Sequence, residues 1–147
     1  MDPLSSIRGM MPGLPPMQLP KAAEDAIKQV PLIIKVGHVR ERSEAEAIVA
    51  ALEPFAASLA MTNTIAAPIL DANGKAMFGG HRRGICGMAI RDSSISQTRL
   101  FGDVVRERGS RLKLIGVGGA SQWSDVCEYL QAGAEAVHVA TAAMLDP

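Results

Sequence analysis

Leu112–Gly119, LKLIGVGG, and Ala136–Thr141, AVHVAT, decide how the rest of the chain reads. Each is a short apolar run of strand character that ends in small residues. Between them, Ser121–Ala132 reads as one helix closed by Gly133. Strand, glycine turn, helix and strand make a βαβ unit, which places two parallel neighbours in one sheet. The glycines come at the C-terminal end of the first strand, where parallel α/β folds hold their ligands. Gly118 and Gly119 carry no side chains, so their N–H groups can approach an anion closely, and Thr141 adds a hydroxyl at the matching end of the next strand. The unit predicts a phosphate cradle made from two adjacent strand ends.

Moving toward the N-terminus, the same alternation repeats. Ile95–Arg108 has the apolar period of a helix, with Leu100, Phe101, Val104 and Val105 inward and Gly109 as its stop. Ala57–Thr62 reads as a strand that runs straight into Asn63 and Thr64. Those polar residues suit either a ligand site or ordinary turn chemistry. Ser43 and Glu46 have the spacing of a capping box before a helix whose apolar face is Ala47, Ile48, Ala51 and Leu52. Leu32–Val36, LIIKV, is a buried strand interrupted by Lys35. A charge inside such a strand is costly without a partner, so Lys35 is either a functional cation or a strand-end lysine reaching solvent. Lys21–Val30 supports a short helix, and residues 1–20, rich in Met, Pro and Gly, form an irregular lead-in to a partial barrel over 21–147.

One stretch breaks the alternation. Ile65–Ile90 has no helical period; Asn73–Gly74, flanked by Ile69, Leu70, Met77 and Phe78, predicts a hairpin with a type I′ turn. GGHRRGICG, Gly79–Gly87, follows as a flexible loop in which His81, Arg82 and Arg83 suit a nearby anion or simple solvation. Cys86 has no base near it in sequence, so a nucleophilic role has little support.

The bulk composition narrows the class. Fifteen Lys and Arg balance fifteen Asp and Glu, so no net field points to nucleic acid or a membrane surface. The absence of a long apolar run or a secretory pattern in this sequence gives the expectation of a cytoplasmic protein without a membrane span. Cys86 and Cys127 lack the spacing of a disulfide framework or a zinc site. Helix, strand, helix, strand, excursion, helix, strand, helix, strand gives four parallel strands: half of a (β/α)8 TIM barrel, with an open doubly wound sheet as the local alternative.

The strand ends resemble those of the dihydroorotate dehydrogenase family and its dihydropyrimidine dehydrogenase relatives, in their C-terminal half. The matching pieces are IIKVG with Lys35, MTNTI over Met61–Ile65, GG followed by CGMAI, IGVGG, and GAEAVHVATA, in order from Leu32 to Ala143. The resemblance implies FMN at the C-terminal mouth of a (β/α)8 barrel. It implies that Lys35 contacts the pyrimidine edge of the flavin and that Thr62 is a second flavin contact. By the same resemblance, Asn63 and Thr64 hydrogen-bond a dihydropyrimidine substrate, while Gly87, Gly118, Gly119, Ala140 and Thr141 hold the phosphate end. A side chain at Gly119 would then stand where the phosphate sits. Here HRRGIC separates Gly80 from Gly87, and Cys86 stands where the family has serine. The region that carries the family's catalytic base has no counterpart in these residues.

Three functions follow as expectations. The first is an FMN-dependent oxidoreductase of pyrimidine metabolism that oxidises a dihydropyrimidine, working with a missing N-terminal half or a second copy. The second is a non-catalytic phosphate- or flavin-binding partial barrel, a degenerate or truncated product. The third is a non-redox barrel that shares only the GVGG cradle. In each, the strands Leu32–Val36 and Ala136–Thr141 are the open edges of the sheet.

Overall fold

The computed structural model describes residues 30–145. The expected lead-in and nearly all of the expected helix Lys21–Val30 lie outside the described residues. The elements fall in one compact unit that begins at Ile33. They are β1 (Ile33–Lys35), α1 (Arg42–Leu52), β2 (Ser58–Met61), β3 (Ile65–Ala67), β4 (Arg83–Ile85), α2 (Arg91–Arg108), β5 (Lys113–Val117), α3 (Trp123–Gln131), β6 (Ala136–His138) and α4 (Thr141–Leu145).

Among the described residues, four strands form one all-parallel sheet in the order β1-β2-β5-β6, with β1 and β6 at its edges, as expected. Register sorts the side chains by face. Ile34, Leu59 and Leu114 are aligned, and Leu59 and Leu114 join the core that Val49 and Leu52 of α1 and Phe101 and Val104 of α2 build behind the sheet. Lys35, Ala60, Ile115 and Ala136 are aligned on the opposite face. Period-two alternation thus gives a helix side and a cleft side. This is half of the barrel architecture that the strand and helix alternation predicted.

Several local expectations change. Helix α1 begins at Arg42 with Glu41 at its N-cap and no side-chain cap, so Ser43 and Glu46 do not form the capping box. Arg42 instead holds Glu46 at 2.8 Å. The buried stripe is Ala45, Val49 and Leu52, while Ala47 and Ala51 face solvent, because the core lies on the neighbouring face of the helix. Helix α2 starts at Arg91, ahead of the expected Ile95, after a 3-10 turn over Gly87–Ile90. Gly109 ends it in the left-handed region, as expected.

The excursion is more ordered than its sequence suggests. β3 and β4 pair antiparallel as a ribbon apart from the main sheet, with Ile65 opposite Ile85. The turn at Asp71–Gly74 is not type I′, since only Gly74 has positive φ (77°). The Asp71 carboxylate accepts the N–H groups of Asn73 and Lys75, both at 2.9 Å, and the Gly74 N–H donates to the Asp71 carbonyl. That is a turn closed by an Asx side chain with glycine after it.

Candidate functional site

A cleft of about 440 Å³ opens at the C-terminal ends of the four parallel strands. Lys35 lines it from β1, and Asn63 and Thr64 line it from the segment after β2. Gly118 and Gly119 follow β5, and Ala140 and Thr141 follow β6. Gly87 joins them from the turn that starts the approach to α2. The cleft therefore spans the sheet from edge to edge, roughly 14 Å for three strand spacings. Its volume falls in the range of about 300–1,000 Å³ usual for small-ligand sites.

The glycine end is held rigidly from below. Tyr129 of α3 is fully buried, and its hydroxyl donates to the Gly118 carbonyl at 2.6 Å. Burial raises its phenol pKa, so it stays a donor. Its ring lies where a side chain of residue 116 would be: a Cβ on Gly116 would come 2.3 Å from Cδ1. Gly118 has φ 130° and Gly119 φ 70°. Among the described residues, neither amide N–H has a protein acceptor, so both are available to a ligand. The Ser94 hydroxyl, buried beside Gly118, also lacks a partner among the described residues.

An ion pair between the buried Asp125 and the partly exposed Arg91 clamps the same corner. Arg91, at the start of α2, donates through Nε to Asp125 Oδ1 at 2.6 Å and also bonds Glu128 of α3. Asp125 Oδ2 accepts the N–H of Ser121 at 2.9 Å and that of Gln122 at 3.1 Å. The Ser121 N–H, assisted by Arg91, holds the Asp125 carboxyl at about 2 against the opposing effect of burial. The loop after the glycines is thereby tied to α2 and α3 together.

The expected substitution logic at Gly119 changes. A Cβ there would meet the Gly87 carbonyl oxygen at 2.7 Å and Arg91 Cβ at 2.8 Å. Gly119 is glycine because the 87–91 turn packs against it, so a side chain would collide with protein before it reached a ligand. Thr141 approaches the same turn, with Cγ2 3.3 Å from a Cβ built at Gly87. Three separate segments meet at this point.

Thr62 is the one expected site residue that does not line the cleft. It is fully buried, and its hydroxyl donates to Gln97 Oε1 at 2.8 Å, because the Gln97 amide collects donors behind the strand ends. The basic loop is also committed elsewhere. Arg82 donates to the Ala66 carbonyl, and Arg83 lies 5.5 Å over the Phe78 ring, so both brace the ribbon. Cys86 is exposed at the cleft rim.

Sequence reasoning missed His138, which lines the cleft from β6, and Met88, Met144 and Leu145 at its rim. The placement of Val137 against the core under α3 puts His138 on the cleft side by alternation, a signal available once β6 is assigned. Tyr129 and Asp125 are four apart on α3, which puts them on one helix face and marks them as a pair. Gln97 left no such trace, since SSISQT reads as a polar helix surface.

Comparison with known proteins places this geometry. The family model described as dihydroorotate dehydrogenase matches residues 17–147. The chain is 31% identical over 124 residues to a dihydroorotate dehydrogenase of Dictyostelium discoideum, covering 82% of this chain and 34% of that protein. It is 35% identical over 100 residues to the catalytic subunit of dihydroorotate dehydrogenase B (NAD(+)) of Methanopyrus kandleri, covering 67% of this chain and 30% of the relative. A crystal structure of Eimeria tenella DHODH in complex with ferulenol superposes with a TM-score of 0.60 at 20% identity, over 77% of this chain and 29% of that one, a likeness of fold. The chain spans about a third of the length of these relatives. With four parallel strands whose ends carry Lys35, the Asn63–Thr64 pair and the Gly118–Gly119 cradle, matched along nearly its whole length by one family model, the chain belongs to the dihydroorotate dehydrogenase family.

Proposed function

We propose that the cleft binds FMN and that the chain contributes the flavin-binding half of an oxidoreductase acting on a dihydropyrimidine. The observation that carries the reading is the gathering of Lys35, Asn63, Thr64, Gly87, Gly118, Gly119, Ala140 and Thr141 in one cleft across the strand ends. The residues fit the group. The N–H groups of Gly118 and Gly119, without an acceptor among the described residues, suit with Thr141 a phosphate at the β5–β6 end. Lys35, exposed on the cleft side of the opposite edge strand, has no carboxylate within ion-pair distance among the described residues and suits an electron-rich ring.

When bound, FMN supplies a hydride acceptor at N5. Lys35 would hold the ring edge and supply positive charge that favours the electron-rich form of the group. Asn63 and Thr64 supply donors and acceptors that orient the substrate ring. Gly118, Gly119 and Thr141 would hold the phosphate end. The chemistry also requires a proton acceptor, and this reading assigns it to the remainder of a longer protein or to a second copy paired on the open edges of β1 and β6.

The second reading, a flavin- or phosphate-binding partial barrel without turnover, has the complete glycine cradle in its favour. The two readings separate when the chain is assayed both alone and as part of a longer protein that carries the rest of the barrel. Flavin absorbance with dihydroorotate turnover above background in either form supports the oxidoreductase, whereas flavin without turnover in both supports the binding role. A colourless protein that takes up neither added FMN nor inorganic phosphate contradicts both.

A further inference from the structure

We propose that Gln97 is a positioning residue that sets the spacing between the Lys35 wall and the Asn63–Thr64 wall of the cleft, a proposal that rests on the flavin reading. Gln97 is in the middle of α2 and only 2% exposed. Its Oε1 accepts the Val39 N–H at 3.2 Å, the Thr62 hydroxyl at 2.8 Å and His38 Nδ1 at 3.0 Å. Its Nε2 donates to the Gly37 carbonyl at 2.7 Å. An N–H can only donate and a carbonyl can only accept, so these partners determine which way the amide faces. They also require the proton of His38 on Nδ1, leaving Nε2 to accept from Arg40 Nε at 3.0 Å.

The two sets of bonds reach the segments that follow different strands, β1 and β2. Gly37 is two residues from Lys35, and Thr62 directly precedes Asn63. The last backbone bond between β1 and β2 runs from the Val36 N–H to the Ala60 carbonyl. Beyond it, Gln97 continues the link from behind the sheet. Lys35 is assigned to the ring and Asn63 and Thr64 to the substrate stacked on it, so their relative placement decides whether hydride donor and acceptor are in register. A displacement of about 1 Å at such a site costs about a hundredfold in rate. An ordinary buried glutamine would need only two or three satisfied bonds within one neighbourhood. This one satisfies its amide by joining two functional walls.

The test is a double-mutant cycle on the full chain loaded with FMN, read as the midpoint potential of the bound flavin. That potential reports how strongly Lys35 favours reduced over oxidised FMN and does not depend on overall stability. Lys35→Ala is expected to lower this preference about tenfold in the parent and less than about twofold in Gln97→Met. Thr62→Val, which cuts only the β2 tie, should reproduce the loss of coupling and stands in if Gln97→Met fails to fold. Equal effects of Lys35→Ala in all backgrounds would overturn the proposal. A parent that binds no FMN would refute the flavin reading instead, and an NMR comparison of the unliganded variants then decides the geometry. The amides of Lys35 and Asn63 should shift together in Gln97→Met while Gly118 and Gly119 stay in place; unmoved Lys35 and Asn63 amides would overturn the role of Gln97.

Discussion

The C-terminal end of β5 and the connection between β3 and β4 are both rich in glycine, and they use it for different reasons. At Gly116, Gly118 and Gly119, an added Cβ would meet Tyr129, Ser94 or the Gly87 carbonyl at 2.3, 2.5 and 2.7 Å. At Gly74 and Gly80, it would meet nothing within 4 Å, and the only constraint is a positive φ. Glycine at the β5 end makes room for close packing, as does Gly84 in β4, where a Cβ would come 3.1 Å from Thr64 Oγ1, whereas Gly74 and Gly80 between β3 and β4 make bends. The first use is what a ligand site on a rigid scaffold requires, because groups that cannot relax hold their N–H donors in place.

Substitution should therefore separate the two regions sharply. The largest effect is expected for Gly116→Ala, where the Tyr129 ring cannot retreat because its hydroxyl is tied to Gly118. Overpacking there should cost about 3 kcal/mol, while Gly80→Ala should cost only about 1 kcal/mol for its backbone conformation. Urea denaturation of both variants checks the contrast, and equal losses would erase the distinction.

Next comes the Asp125 clamp. Asp125→Ala removes the bonds to Ser121, Gln122 and Arg91 and should cost about 2 kcal/mol. Its pH signature is specific. The folded pKa is lowered from 3.8 to about 2, so the contribution is whole above the ordinary carboxylate value. It is lost as pH falls through that interval. Parent and Asp125→Ala should converge in stability toward pH 2 and differ most near neutrality; a constant difference across pH would mean that the charge is irrelevant.

Tyr129→Phe should be milder, about 1 kcal/mol, because packing survives and one hydrogen bond to Gly118 is lost. Its sharper effect should be on the cradle, with FMN affinity reduced several-fold in a fluorescence titration. Unchanged affinity would show that the Gly118 peptide needs no support. The smallest effect is expected at the ribbon tip, where Leu70 is 57% exposed. Leu70→Ser should change the melting midpoint negligibly, within about 0.5 kcal/mol.

These two regions also differed in how far they could be read from sequence. The βαβ unit was legible because LKLIGVGG and AVHVAT combine an apolar run with a glycine or small-residue end, and both signals are local. The ribbon was not, since Ile65–Ala67 and Arg83–Ile85 are three residues each and pair only with one another, across a turn and a glycine pair. Helix α2 extends to Arg91 for a tertiary reason: Arg91 is held by Asp125 and Glu128 from α3. Thr62 looked like a cleft residue because it sits between Met61 and Asn63 in a strand end, yet the acceptor that claims its hydroxyl is 35 positions away. The strand ends that face the cleft were recoverable; the polar ties behind them were not, because long-range hydrogen bonds leave no period in a sequence.

The proposed flavin site depends above all on the β5–β6 end acting as a phosphate cradle. The most direct measurement compares FMN with riboflavin in titrations of the full chain, since the two ligands differ only in the phosphate. FMN is expected to bind, and riboflavin at least about tenfold more weakly, for the loss of a charge-assisted set of contacts. Equal affinity for the two, or no binding of FMN, would contradict it.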